Sequence, residues 1–250
     1  MVDSKKKLLT IIPEEVEKFS AIATEWWDRN GKFKPLHKIN PVRVVFIRDL
    51  ACKYLKDLDS KSRQPLKNIK ILDIGCGGGL VSESMSKLGA SVVGLDPSFK
   101  NIQIAKSHAE QSNLDIEYVN STIEDFSEKN KGVFDIILNL EAIEHVDCPD
   151  QFIKLSSLCL RDGGIAYIST INRNAKSFLM AIVGAEYILR WLPVGTHDWK
   201  KFFKPSEVVK FAENSNLKFL ESKGFGLNIL KNKWSLSDNL DVNYISAFQK

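Results

Sequence analysis

The chain has 250 residues, of which 44% are hydrophobic and 26% charged, and its formal net charge is +4. These values suit a soluble α/β protein with a substantial core, and they exclude a disordered or coiled-coil chain. The charge is too small to indicate a nucleic-acid partner. Four scattered cysteines without Cys-x-x-Cys spacing predict neither a zinc site nor a redox pair, and they favour a cytoplasmic protein.

The first part of the chain is predicted to form two helices. Apolar residues recur at helical spacing between Glu14 and Trp27. A second helix is predicted from Pro41 to Leu58, with Asn40 as its N-cap and Pro41 in its first turn. We assign residues 1–60 to an N-terminal helical cap, which a polar linker joins to the rest of the chain.

Residues 69–250 are predicted to form one domain, because strand and helix patterns alternate there as in a mostly parallel sheet. The predicted strands are Ile69 to Ile74, Ser91 to Leu95, Ile116 to Val119, Phe134 to Leu140, Gly164 to Thr170, Leu217 to Leu220 and Asn243 to Phe248. The alternation is interrupted after the fifth strand. We assign residues 172–204 to an insert.

A glycine-rich turn follows the first predicted strand. Ile71 to Ile74 is an apolar run with one carboxylate, and Gly75, Gly77, Gly78 and Gly79 come directly after it. Without Cβ atoms, a ligand can lie against the main chain, and a helix can begin at once. The turn therefore predicts a nucleotide-like cofactor, with Gly75, Gly77 and Gly79 among its binding residues.

Two residues at this turn indicate which cofactor binds. A dinucleotide fingerprint, Gly-x-Gly-x-x-Gly, would need glycine at position 80, where this chain has Leu80. Asp73 at the strand end disfavours a pyrophosphate but suits the amino group and sulfonium of S-adenosylmethionine. We predict S-adenosylmethionine, with NAD as the alternative.

Acidic and apolar residues after the next two strands extend the predicted cofactor site. Asp96 ends the second strand, where a carboxylate can accept both hydroxyls of a ribose. NAD enzymes also use an acid there, so Asp96 does not separate the two cofactors. Ile123 follows the third strand at the same sheet edge, and we include it among the cofactor-binding residues.

An acidic cluster follows the fourth strand. Glu141, Glu144 and His145 would share one face of a helical turn, beside the cofactor. Two carboxylates and an imidazole can hold Mg²⁺, Mn²⁺ or Zn²⁺, and a bound dication would help to ionise a phenol. A metal-free site with His145 or a glutamate as general base is the nearest alternative. Solvated glutamates without a catalytic role are the third.

The insert has a composition that suits a membrane interface. Its apolar stretch from Phe178 to Ala185 is too short to span a bilayer. Aromatic residues then alternate with lysines between Trp191 and Lys204, as in interfacial segments. An ordinary buried helix with a basic loop is the alternative.

Longer sequence strings carry a resemblance to a known family. They are Trp26-Trp-Asp28, the run from Gly31 to Arg43, the glycine turn, Glu144-His-Val146, Ser169 to Asn174, Val183 to Arg190 and Gly195-Thr-His-Asp198. On these strings the chain resembles the ubiquinone biosynthesis O-methyltransferases from Glu14 to Tyr244. The resemblance implies a Rossmann-like class I methyltransferase fold, with seven strands, one of them antiparallel, and helices on both faces.

The resemblance also implies particular roles for residues. It implies that Arg43, Gly75, Asp96 and Leu140 contact S-adenosylmethionine, and Arg43 could pair with the methionine carboxylate. It implies that Glu141, Glu144 and His145 hold a divalent ion, with Mg²⁺ as the first choice. It further implies an insert that associates with the inner membrane peripherally, and allows for association with other enzymes of ubiquinone biosynthesis.

The resulting prediction is methyl transfer to ring hydroxyls of polyprenylated phenols, namely a polyprenyl-hydroxyphenol and demethylubiquinol. Glu141, Glu144 and His145 are the predicted catalytic residues. A quinone-pathway C-methyltransferase or another small-molecule methyltransferase is the alternative.

Overall fold

The computed structural model describes residues 10–177, 199–228 and 233–250, and an eight-stranded sheet forms its centre. The strands are β1 (Lys70–Ile74), β2 (Ser91–Asp96), β3 (Glu117–Asn120), β4 (Phe134–Leu140), β5 (Leu160–Ile171), β6 (Lys218–Asn228), β7 (Lys233–Ser237) and β8 (Asn243–Gln249). Their order across the sheet is β3-β2-β1-β4-β5-β8-β6-β7. The predicted α/β architecture is confirmed.

The strand count differs slightly from the prediction. Strands β1 to β5 pair in parallel, whereas β8 is antiparallel to β5 and β6, and β7 is antiparallel to β6. The sheet thus has eight strands instead of seven, and two of them run against the others instead of one. β7 escaped prediction because Trp234 and Leu236 are its only large apolar residues, too few to establish an alternating pattern.

Helices cover both faces of the sheet. They are α1 (Pro13–Ala21), α2 (Lys34–Tyr54), α3 (Leu80–Lys87), α4 (Phe99–Gln111), α5 (Ile123–Lys129), α6 (Pro149–Cys159), α7 (Ala175–Ser177) and α8 (Pro205–Glu213). Short 3₁₀ turns lie at Ala23–Glu25, Ile143–His145 and Trp199–Lys201. The first predicted helix therefore ends at Ala21, earlier than its apolar pattern indicated.

The second helix begins earlier than predicted. α2 starts at Lys34 with Pro35 in its first turn, and Pro41 lies inside it. Asn40 is not an N-cap: its side chain is buried, and its Nδ2 donates to Ser84 Oγ at 3.0 Å. The pair Asn40-Pro41 imitates a helix start locally, but the tertiary contact with α3 gives the asparagine another partner.

Two hydrophobic layers hold the helices against the sheet. On one face α2 and α3 supply Phe46, Ile47, Leu50, Val81 and Met85. The other face contains side chains of α6, α8 and β8. The fully buried Tyr167 of β5 donates its hydroxyl to the Ile47 carbonyl at 3.0 Å, which fixes α2 to the sheet. Burial of these apolar side chains is the main stabilising contribution.

The division into a cap at residues 1–60 and a domain at residues 69–250 remains a prediction. Within the described ranges, no helix combines the length and apolar character that a bilayer crossing needs. The apolar stretch predicted for the insert, from Phe178 onward, lies outside the described residues.

Candidate active site

A cavity of about 690 Å³ lies at the carboxyl ends of the central parallel strands. It is lined by most of the predicted cofactor residues: Arg43, Asp73, Gly75, Gly77, Asp96, Ile123 and Leu140. Glu141, Glu144 and His145 line it as well. Residues that are far apart in the sequence thus lie together at the carboxyl edge of the sheet, where ligands bind in open α/β folds.

The glycine turn is held against β2 by main-chain hydrogen bonds. The amides of Gly75 and Cys76 both donate to the Leu95 carbonyl, at 2.8 and 3.1 Å. Gly79 does not line the cavity; it precedes α3 with φ +86°, and a Cβ there would overlap the Tyr118 hydroxyl. Its requirement for glycine is therefore explained by backbone conformation and packing.

Substitution of Gly77 by alanine should destabilise the fold. Gly77 has φ +54°, and a Cβ on it would overlap the ring of the buried Trp26. The left-handed conformation alone costs about 1–2 kcal/mol. With the overlap added, we expect Gly77→Ala to lower the free energy of unfolding by about 3 kcal/mol. In a thermal melting experiment the melting temperature should then fall by roughly 6–12 °C.

Gly132 offers a matched control. It also has a positive φ, +65°, but a Cβ there would meet no atom within 4 Å. Gly132→Ala should therefore show only the conformational cost, about 1–2 kcal/mol. Equal destabilisation by the two substitutions would contradict the role assigned to Trp26.

Asp96 is fixed by a network that reaches the N-terminal part of the chain. Its Oδ2 accepts from the Gly77 amide at 2.9 Å, and its Oδ1 accepts from the Ser98 amide at 2.8 Å and from Asn101 Nδ2 at 3.3 Å. Trp26 Nε1 donates to Asn101 Oδ1 at 3.0 Å. Burial raises the pKa of Asp96. Trp26 and Asn101 are supporting residues that sequence reasoning did not assign to the site.

Asp73 and Arg43 form an oppositely charged pair of buried groups at the cavity. Asp73 Oδ2 accepts from Ser82 Oγ at 2.6 Å. Burial raises the pKa of Asp73 to about 6, although the Ser82 hydrogen bond and the charge of Arg43 oppose this shift. Burial also lowers the pKa of Arg43. An amino acid headgroup, with one ammonium and one carboxylate, would satisfy both charges.

The two glutamates of the acidic cluster each accept from a hydroxyl of β5. Ser169 Oγ donates to Glu141 Oε1, and Thr170 Oγ1 donates to Glu144 Oε2, both at 2.9 Å. Arg43 Nη1 lies 3.7 Å from Glu141 Oε1. Burial raises the pKa of Glu141, while burial and the Glu141 charge raise that of Glu144 to about 7.

His145 is bound by a carboxylate from α1. Its Nδ1 lies 3.0 Å from Glu15 Oε2, and the ring packs edge-on against Phe19 at 4.8 Å. The hydrogen bond with His145 is the largest cause that lowers the pKa of Glu15 to about 2. An ionised carboxylate can only accept, so Nδ1 carries the proton and Nε2 is the basic nitrogen of the neutral ring. Glu15 is a third site residue that sequence reasoning missed, since 130 positions separate it from His145.

The three residues of the acidic cluster do not fit one metal site in this arrangement. Across residues 10–177, 199–228 and 233–250, no group of three or more His, Cys, Asp and Glu side chains is placed to hold an ion. Ser169 and Thr170 are successive strand residues, which point to opposite faces. The glutamates therefore hydrogen-bond to opposite faces of β5, while His145 turns towards Glu15.

The methyltransferase domain family matches residues 46–222. The ubiquinone biosynthesis O-methyltransferase of Pelagibacter ubique is 52% identical over 242 residues, which cover 96% of this chain and 99% of that protein. The chain belongs to the ubiquinone biosynthesis O-methyltransferase family. The family member of Dinoroseobacter shibae is 50% identical over 240 residues, covering 95% of this chain and 96% of that protein. The predicted resemblance is confirmed.

Solved structures agree on the fold. The magnesium protoporphyrin IX methyltransferase of Synechocystis, solved with S-adenosylhomocysteine, superposes with a TM-score of 0.65 at 13% identity, covering 95% of this chain and 99% of that one. A methyltransferase from Thermotoga maritima gives 0.59 at 17% identity, covering 94% and 99%. The class I methyltransferase fold is confirmed. Family membership makes the chain an O-methyltransferase that uses S-adenosylmethionine, which decides against the NAD alternative.

Proposed function

We propose that this enzyme transfers the methyl group of S-adenosylmethionine to ring hydroxyls of polyprenylated phenols in ubiquinone biosynthesis, namely a polyprenyl-hydroxyphenol and demethylubiquinol. The observation that carries this proposal is one cavity lined by both the glycine turn and His145. Close relatives that match nearly the whole chain are named ubiquinone biosynthesis O-methyltransferases, which supports the assignment to this pathway.

The cofactor would occupy the half of the cavity nearest β1 and β2. Asp96 would accept the ribose hydroxyls, while Asp73 would face the amino group and Arg43 the methionine carboxylate. Gly75 and Gly77 leave room for the ligand along the main chain. Leu140 and Ile123 would complete the apolar contacts. In this arrangement the sulfonium methyl would face the acidic cluster.

The chemical step is an in-line displacement. The phenol oxygen forms a bond to the methyl carbon, the carbon–sulfur bond breaks, and its electron pair stays on S-adenosylhomocysteine. Because the sulfonium is already a good leaving group, the protein must chiefly align the two reactants and accept the phenol proton.

We infer that His145 accepts this proton. Glu15 holds Nδ1–H, which leaves Nε2 with the lone pair that a general base needs. Glu141 and Glu144 already accept hydrogen bonds from β5 hydroxyls, so their expected role is to stabilise the imidazolium and Arg43 by charge. A raised pKa also makes Glu144 the second candidate base.

A carbon-methylating quinone enzyme is the alternative reaction, because the same donor site could serve a ring carbon. The assay is transfer of labelled methyl to a short-tailed catechol, with and without a chelator. We expect the product to carry its methyl on oxygen, and the chelator to leave kcat within about twofold. Methylation on carbon would refute the proposed reaction. Loss of activity with the chelator, and its recovery on addition of Mg²⁺, would instead support the divalent ion predicted from the sequence.

We also propose that residues 172–204 associate with the surface of the inner membrane from the cytoplasmic side, and that other enzymes of the pathway bind nearby. Support comes from the aromatic and basic composition of this insert, since long polyprenyl substrates reside in membranes. Flotation with anionic vesicles tests it. A variant without residues 178–201 that floats as well as the parent would refute this proposal.

A further inference from the structure

We propose that the β6–β7 hairpin forms the binding surface for the isoprenoid tail of the substrate, with Phe225, Leu227 and Trp234 as specificity-determining residues. This inference rests on the proposed function, because it names the part of the same cavity that recognises the apolar chain. The three side chains are called the hairpin wall below.

The hairpin places these three side chains on one side of the sheet. Phe225 and Leu227 are two residues apart on β6, so both point to the same face. Trp234 is paired directly with Leu227 across the two strands, and cross-strand partners share a face. All three line the cavity. Gly226, between the two apolar residues of β6, adds no side chain.

The cavity has a polar part and an apolar part. Asp73, Asp96 and Arg43 lie where the cofactor is expected, and His145 lies where the hydroxyl must react. Besides the hairpin wall, Ile171 and Val242 are apolar residues of the lining, and the N-terminal helices contribute others such as Val16 and Phe19. A phenol with an apolar chain has this same division, since its hydroxyl needs polar groups while its chain gains free energy by leaving water.

The hairpin wall runs from the interior to the surface. Phe225 is only 7% exposed, whereas Leu227, two residues further along the strand, is 36% exposed and still lines the cavity. A cavity of about 690 Å³ must hold the cofactor and the aromatic ring, which leaves little room for a long chain. The first isoprene units would therefore pack on this wall, and the rest of the tail would leave the protein beside Leu227.

The test compares catechols that carry zero, one or two isoprene units. For the parent enzyme we expect kcat/KM to rise by about tenfold or more from no tail to two units, because the added carbons are buried on the hairpin wall. In Leu227→Asp a carboxylate would have to be desolvated against the tail. We expect the ratio of kcat/KM between the two-unit and tail-free substrates to fall by about tenfold.

Leu158→Asp is the matched control, because Leu158 is 37% exposed, lies on α6 and does not line the cavity. It should keep the parental ratio. If Leu227→Asp fails to fold, Leu227→Ser is measured in its place and should lower the ratio about threefold. A parental ratio in both Leu227 variants, or no gain with tail length in the parent, would overturn the tail site. Absence of methyl transfer to every catechol would instead refute the proposed function.

Discussion

Replacing His145 by alanine should lower kcat by about 10²- to 10⁴-fold, the range typical of a lost general base. The affinity for S-adenosylmethionine should change little, because the ring lies at the acceptor side and its hydrogen bond is made to Glu15 at 3.0 Å. Single-turnover kinetics together with calorimetric titration of the cofactor would separate the two effects.

Glu15→Gln should show a smaller loss of kcat than His145→Ala, since it keeps the base but weakens its orientation.

Lys201→Ala is the control for this prediction. Lys201 donates to the other oxygen of Glu15, Oε1, at 3.1 Å, and it does not line the cavity. Its removal disturbs the same carboxylate without touching the base, so kcat should stay within about threefold of the parent. If His145→Ala retained the parental kcat, the base would have to be another group, and Glu144 would be the first to test.

The Asp73→Asn variant should bind S-adenosylmethionine about 10- to 100-fold more weakly at pH 7.5, because a buried neutral amide cannot offset the ligand's positive charge. The pH dependence should also change. Burial holds the pKa of Asp73 near 6 in the free protein, so a cationic ligand binds better as the pH rises from 5 to 7 and the carboxylate ionises. In Asp73→Asn this rise should be smaller, because only the ionisation of Glu144, whose pKa is about 7, would remain in this pH range.

Stability of the ligand-free protein should respond to pH in the opposite direction. The pKa of Asp73 is raised from 3.8 to about 6 on folding, so its contribution to stability is complete below pH 4 and is lost as the pH rises through 6. The loss is about 3 kcal/mol. In urea denaturation, Asp73→Asn should not show this loss of unfolding free energy as the pH rises through 6.

Asp150→Asn, on the exposed first turn of α6, is the control for both measurements. It should reproduce the parental trends in affinity and in stability. An unchanged pH dependence of cofactor affinity in Asp73→Asn would contradict the place given to this carboxylate beside the amino group.

The cofactor half of the site was predictable because its signals are local. Asp73 lies near the end of β1, Gly75 and Gly77 follow this strand directly, and Asp96 ends the next strand. In a parallel sheet the carboxyl ends of neighbouring strands lie at the same edge, so residues at these ends lie close together in space. The same reasoning placed Glu141 and His145 at the cavity.

The hydrogen-bond partners of the acidic cluster were not predictable in this way. The sequence shows two glutamates and a histidine at helical spacing, which suggests convergence on one ion. Their orientation depends on Ser169, Thr170 and Glu15, which come from other parts of the chain. Glu141 also has φ +53°, outside a helical turn, so the spacing rule does not apply to it.

The most direct test of this account uses S-adenosylmethionine with a ¹³C-labelled methyl group and a short-tailed catechol. Nuclear magnetic resonance of the product identifies the atom that carries the label. We expect the label on a ring oxygen, with one S-adenosylhomocysteine formed for each methylated catechol. A label on a ring carbon, or S-adenosylhomocysteine binding without any methyl transfer to the catechol, would contradict the account.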